Sequence, residues 1–142
     1  GADEIISAGL VNAEAAAKYI LTRNPAAVSL VAMGKDGLEN AKEDTLCAKY
    51  IESLLTGSQI SGDDALPKIF RTRFFSSDQV QLVADALLTD GGEVFFNPDP
   101  DWQEVYPRAD FFLCINCDLF DFVIRIGRDE KGVLFAEPVP LC

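Results

Sequence analysis

The stretch VSLVAMGKDGLENAKEDTLCAKYI, residues 28–51, decides how this chain folds. An apolar run, a glycine-punctuated loop and an acidic pair opening an amphipathic segment follow in direct succession. That order predicts a strand over residues 27–33, apolar enough to be central in a sheet, and a helix over residues 41–55. Helical spacing puts Leu46, Tyr50, Ile51, Leu54 and Leu55 on one inward stripe, and Gly57 supplies the stop. In α/β proteins the crevice beyond a strand's carboxyl end, beside a helix N-terminus, receives anionic ligands and their metals. Here that crevice would hold Gly34, Lys35, Asp36, Gly37, Glu43 and Asp44.

Upstream of this unit, residues 4–8 (EIISA) read as a strand, and Asn12 as the N-cap of a helix AEAAAKYILTR that Asn24-Pro25 ends. Downstream, SGDDALPKIF is a short helical piece limited by Pro67, and Ser76-Ser77-Asp78-Gln79 resembles a capping box for a helix to Leu88. A turn follows at residues 89–92. FNPDPDW, residues 96–102, reads as a structured loop with Trp102 as a packing anchor. Residues 110–115 and 122–126 read as strands, and Arg128-Asp129-Glu130-Lys131-Gly132 as a hairpin turn into a strand over 133–136. The order implies a single α/β domain over residues 1–142. Its expected architecture is a three-layer α/β/α sandwich with a mixed sheet, antiparallel toward the C-terminus.

Composition narrows the function. The chain has 142 residues, 49% of them hydrophobic, which suffices for one sizeable core. Lys and Arg number 12 against 23 Asp and Glu, a net charge of −11, so neither nucleic acid nor an anionic membrane is expected as a partner. An anionic substrate would need a local cation, and Mg²⁺ is the usual one in an acidic site. Histidine is absent, which removes Ser–His and Cys–His dyads, phosphohistidine and imidazole-ligated zinc. Proton transfer then falls to carboxylates, Lys, Tyr, Cys or metal-bound water. The start GADEIISAGLVNAEAA has no basic n-region, no apolar run approaches membrane-spanning length, and the cysteines are scattered. These features lead to the expectation of a reduced, cytoplasmic protein.

Several residues admit both a chemical and a structural reading. Gly34-x-x-Gly37 lacks the lysine-serine ending of a P-loop, and its glycines equally serve to turn the chain after a strand. Glu43 and Asp44 suit a metal, or simply the positive end of a helix macrodipole. Cys114-Ile-Asn-Cys117 has no second thiol pair to complete a zinc site and reads as ordinary buried thiols. Asp110, Asp118 and Asp121 suit caps and turns, or complete a carboxylate cluster with Glu43 and Asp44 if two strand ends meet.

Three blocks resemble the later portion of the 2-phosphosulfolactate phosphatase family. SAGLVNAEAAAKYI is similar to its G-S-x-x-N-A-x-A-V segment, with Asn12 and Ala13 matching. The 28–51 stretch resembles its strand, A-G-x-x-G loop and L-E-D-x-x-x-A-G helix start, with Gly34, Gly37, Glu43, Asp44 and Ala48 on those positions. DFFLCINCDLFDFVIRI resembles its D-[VI]-x-x-C-x-x-x-D strand at Asp110, Cys114 and Asp118. The resemblance implies an α/β, Mg²⁺-dependent phosphatase for a small, doubly anionic organic phosphate, a step that belongs to coenzyme M synthesis in some organisms. It makes Glu43 and Asp44 the catalytic metal ligands, with Asp110 and Asp118 as further candidates. Gly34, Lys35, Gly37 and Asn12 become candidate substrate-binding residues.

The family's earlier D-V-x-R-A-[TS] and T-N-G-T segments and its H-G element do not occur here, and Ile124 stands where a proline is expected. The chain therefore looks like the C-terminal part of a longer protein, expected to dock on a missing N-terminal portion or on its own copy. The alternative is a non-catalytic α/β domain that binds a partner or small ligand.

Overall fold

Alanine sets the arrangement of layers. In helix α1 (Ala13–Arg23) the side chains of Ala13, Ala15, Ala16 and Ala17 are all buried, so neighbours approach the helix on more than one side. Ala15, Ala16 and Tyr19 pack against Val123 of the sheet, whereas Ala13 belongs to a second cluster with Leu46, Tyr50, Ile51, Phe111 and Ile115. The computed structural model describes residues 1–35, 37–58 and 92–141. The short helical piece over 61–70, the capping box and helix to Leu88, and Asp36 lie outside the described residues.

Three strands form one sheet in the order β1 (Ile5–Ser7), β2 (Phe122–Arg128) and β3 (Leu134–Pro140), every described pairing being antiparallel. β1 pairs Ile6 with Arg125, bringing the start of the chain beside its last third. β3 carries Pro138 and Pro140, which lack an N–H and are tolerated on an outer strand. Gly127 faces Phe135 across the β2–β3 pair, and a Cβ there would meet the Phe135 ring at 2.3 Å. Glycine at 127 is therefore what allows the aromatic ring to lie over the strand.

Helix α2 (Lys42–Thr56) packs beside α1, burying Leu46, Tyr50 and Ile51, with Leu54 and Leu55 partly covered, on the stripe expected from the sequence. Gly57 ends it at φ +69, and Asn24 ends α1 at φ +47. Helix α3 (Pro100–Val105) begins with Asp99 accepting from the Asp101 N–H and Pro100 in its first turn. This helix stands where a loop was expected; Trp102 is exposed and stacks on Tyr106 rather than anchoring a core. The turn expected at 89–92 gives way, at its one described residue, to a 3₁₀ helix over Gly92–Phe96.

Two strand expectations are corrected. Residues 110–114 belong to helix α4 (Arg108–Cys114), with Ile115 as its C-cap: Phe111 and Ile115 are buried while Phe112, Leu113 and Cys114 between them are exposed. Burial at a spacing of four is the helical period, and a short apolar run does not reveal it beforehand. Residues 27–33 form no strand among the described residues, because a strand exists only through a ladder and no described strand pairs with them.

Asn12 joins the sheet to the entry of α1. Its Oδ1 accepts from the Gly9 N–H at 2.9 Å and its Nδ2 donates to the Phe122 carbonyl at 3.1 Å. Asn12→Ala leaves both backbone groups without a partner in a half-buried site. The expected loss is about 2–4 kcal/mol, read as a lowered urea midpoint with unchanged slope.

Candidate functional site

The loop between residues 33 and 42 is built on glycine. Gly34 has φ +66 and Gly37 φ +69, both left-handed. The Lys35 N–H donates to the Glu39 carbonyl at 2.9 Å, while the Leu38 and Glu39 N–H groups both return to the Lys35 carbonyl. A Cβ on Gly34 would lie 2.0 Å from the Glu39 carbonyl oxygen, whereas one on Gly37 would meet nothing within 4 Å. The Gly34 N–H donates to Asp44 Oδ2 at 2.6 Å, a charge-assisted bond that closes the loop onto the first turn of α2.

Of the expected strand, loop and helix, the loop and the helix adjoin, while the strand is absent among the described residues. Gly34 and Asp44 touch, Lys35 and Gly37 stand exposed on the loop, and Glu43 is exposed beside Asp44. Helix α2 starts at Ala41 with no side-chain cap, so its first N–H groups are not occupied by a capping oxygen. The direct contact is that of Asp44 with the Gly34 N–H, and the N–H groups of Lys35, Leu38 and Glu39 are taken up within the loop.

The remaining predicted residues go elsewhere. Asp110 lies in the first turn of α4, exposed, where its charge meets a helix N-terminus. Asp118, at φ +56, accepts the Glu14 N–H at 2.6 Å through Oδ1 and the Tyr50 hydroxyl at 2.5 Å through Oδ2. Burial raises its carboxyl above the ordinary range, against the lowering effect of these two donors. Burial, then the hydrogen bond to Asp118, pushes the Tyr50 hydroxyl well up, so it stays protonated and donates. Asn12, expected to touch substrate, is buried with its amide engaged by the fold. Among the described residues, no group of three or more His, Cys, Asp or Glu side chains gathers as a metal site. The four-carboxylate cluster is therefore not assembled, because Asp110 and Asp118 sit on a helix and a turn rather than at a shared strand end.

Burial pushes the Cys47 thiol up to about 12 and raises Cys117 as well. Of the two thiols expected to be buried, Cys117 is interior, whereas Cys114 is exposed because it lies on the outer side of α4; Cys47 is buried as well, and all three are free. A feature the sequence reading missed is a grouping of Arg23, Arg125 and Arg128 around a shallow depression of about 440 Å³. Arg23 pairs with Glu4 and Arg125 with Glu137, so much of that charge is already matched. The I-R-I-G-R alternation of β2 was the available signal, but only the fold brings Arg23 alongside.

Comparison with known proteins adds a relationship. The family described as 2-phosphosulpholactate phosphatase matches residues 1–128. A protein of Cyanothece sp. (strain PCC 7425 / ATCC 29141), named a probable 2-phosphosulfolactate phosphatase, is 36% identical over 92 residues, covering 60% of this chain and 37% of that protein. The match thus spans little more than a third of the relative's length. No solved structure matches.

The two loop glycines differ in consequence. Gly37→Ala is expected to cost about 1–2 kcal/mol from the left-handed backbone alone. Gly34→Ala costs more, because the loop must also move away from the Glu39 carbonyl, and the amide at 34 loses its exchange protection. Urea denaturation and amide exchange check both.

Asp118 gives a pH signature. Its folded-state pKa is raised, so its stabilising contribution is fully present below the unfolded value and lost as pH rises through the folded one. The stability difference between wild type and Asp118→Asn should therefore shift in favour of wild type as pH falls from 7 toward about 4. A difference constant over that window would contradict the assignment.

Proposed function

The chain belongs to the 2-phosphosulfolactate phosphatase family, and from that premise we propose that it hydrolyses a small, doubly anionic organic phosphate of the 2-phosphosulfolactate kind, alone or as part of a longer enzyme. The observation that carries this reading is the bond from the Gly34 N–H to Asp44, which folds a glycine loop onto the start of a fifteen-residue helix. Mg²⁺ characteristically takes one or two protein carboxylates and fills its other positions with water and substrate phosphate. Glu43 and Asp44 fit it as such a donor pair, without Asp110 or Asp118. When bound, Mg²⁺ would polarise the phosphoryl oxygens and lower the pKa of a coordinated water.

The chain's own residues have distinct parts in this scheme. Asp44 holds the loop through Gly34 and keeps its second oxygen for the metal. Lys35 neutralises phosphate or sulfonate charge from the exposed loop. Gly34 and Gly37 keep side chains out of the way of the phosphate, and the Gly34 amide acts by holding Asp44 in place. No covalent nucleophile is needed, consistent with a chain that has no histidine and whose described thiols are not activated.

The same reading makes the antiparallel sheet one margin of a mixed sheet in a three-layer α/β/α sandwich. It also assigns the protein to the cytoplasm and to a coenzyme M type pathway; no described helix is long and apolar enough to cross a membrane. A second reading, a non-catalytic domain of this ancestry, is favoured by the lack of a third carboxylate beside Glu43 and Asp44 among the described residues.

Phosphate release from a panel of small organic phosphates including 2-phosphosulfolactate, with and without Mg²⁺, separates the two. Metal-dependent release is expected. Glu43→Gln and Asp44→Asn should each reduce it by about a hundredfold while leaving the far-ultraviolet circular dichroism unchanged. Equal metal dependence in both variants would remove these residues from the site.

A further inference from the structure

The segment that should have been a central strand has everything a strand needs except a neighbour. Residues 27–33 carry no charge in a chain of net −11. Val28 and Leu30 are 43% and 37% exposed, and Val31 and Met33 are 74% and 67% exposed. All seven residues are exposed, and Val31 and Met33, two apart and so on one side of an extended chain, stand out furthest. Among the described residues, no backbone hydrogen bond reaches residues 27–33. Apolar side chains on both sides, above a run of unpaired N–H and C=O groups, are the template to which a second strand adds.

We propose that residues 28–33 pair, as a β-strand, with an apolar strand from the further polypeptide that longer members of the family carry. The aligned residues make up only 37% of the Cyanothece relative, so most of that protein is polypeptide with no counterpart in the match. A second copy of this chain is the poorer fit, since two bodies of charge −11 repel as they approach. The added strand would run directly into Gly34, whose N–H is fixed by Asp44, and would therefore border the 34–44 loop. This inference concerns assembly and rests on the family relationship, not on catalysis.

The test is co-expression of the full 142-residue chain with the remainder of the Cyanothece relative, followed by amide exchange on the isolated chain and on the complex. In the isolated chain at low concentration, amides 28–33 should exchange almost freely. In the complex they should slow on the order of a hundredfold or more. The double variant Val31→Glu, Met33→Glu should keep the urea midpoint of wild type, because both side chains are exposed, yet bind on the order of tenfold more weakly or worse. Protection of 28–33 already present in the monomer would overturn the proposal, showing that another part of this chain covers the segment. Protection that tracks the chain's own concentration, with a dimer mass, would assign the surface to a second copy. Failure of the two polypeptides to associate, or equal binding by the double variant, would also overturn it.

Discussion

One carboxylate holds the described structure together. Asp118 receives the N–H of Glu14 at the start of α1 and the hydroxyl of Tyr50 in the middle of α2, from a left-handed turn that leads into β2. Three elements far apart in sequence therefore meet at two oxygens. The arrangement is costly, because a carboxylate is being removed from water, and its two charge-assisted bonds offset only part of that cost. Its value is positional. The packing of buried alanines against Val123 and Leu46 depends on α1 entering at one angle, and Asp118 sets that angle together with Asn12.

The same helix that is clamped by Asp118 also carries the candidate site. Asp44 lies six residues before Tyr50 on α2, about 9 Å along the axis. Wherever Tyr50 is held, the acidic first turn and the loop bound to it through Gly34 are held too. Site and core are thus two ends of one rigid element, although they share no residue. Interior thiols Cys47 and Cys117 flank the clamp, and burial keeps them protonated and unreactive.

The parts of this fold that the sequence discloses are those stabilised locally. Helix α1 is written in its alanines and ended by Asn24, and α2 in its spaced apolar stripe and Gly57. β2 and its hairpin follow from alternation and a turn, although β3 runs on to Pro140, beyond the expected end. What the sequence hides depends on partners. Phe111 and Ile115 could have alternated in a strand or recurred in a helix, and only the cluster formed with Tyr50 and Ile51 decides between them. At the site, Gly34 and Asp44 were legible because a glycine loop and a helix start adjoin in the chain. Asp118 was not, because nothing in its neighbours announces that its oxygens face Glu14 and Tyr50.

The pairing of β1 with β2 has a consequence for synthesis. Ile5 can find Ile126 only after the roughly 120 residues between them have emerged from the ribosome. At typical elongation rates the first strand waits on the order of ten seconds for its neighbour. Helix α1 can form in that interval, yet its apolar faces, Tyr19 and the buried alanines, have no sheet to rest upon. Any pause in translation between α1 and β2 lengthens the time for which those faces stand uncovered, whereas a pause after β2 has emerged does not.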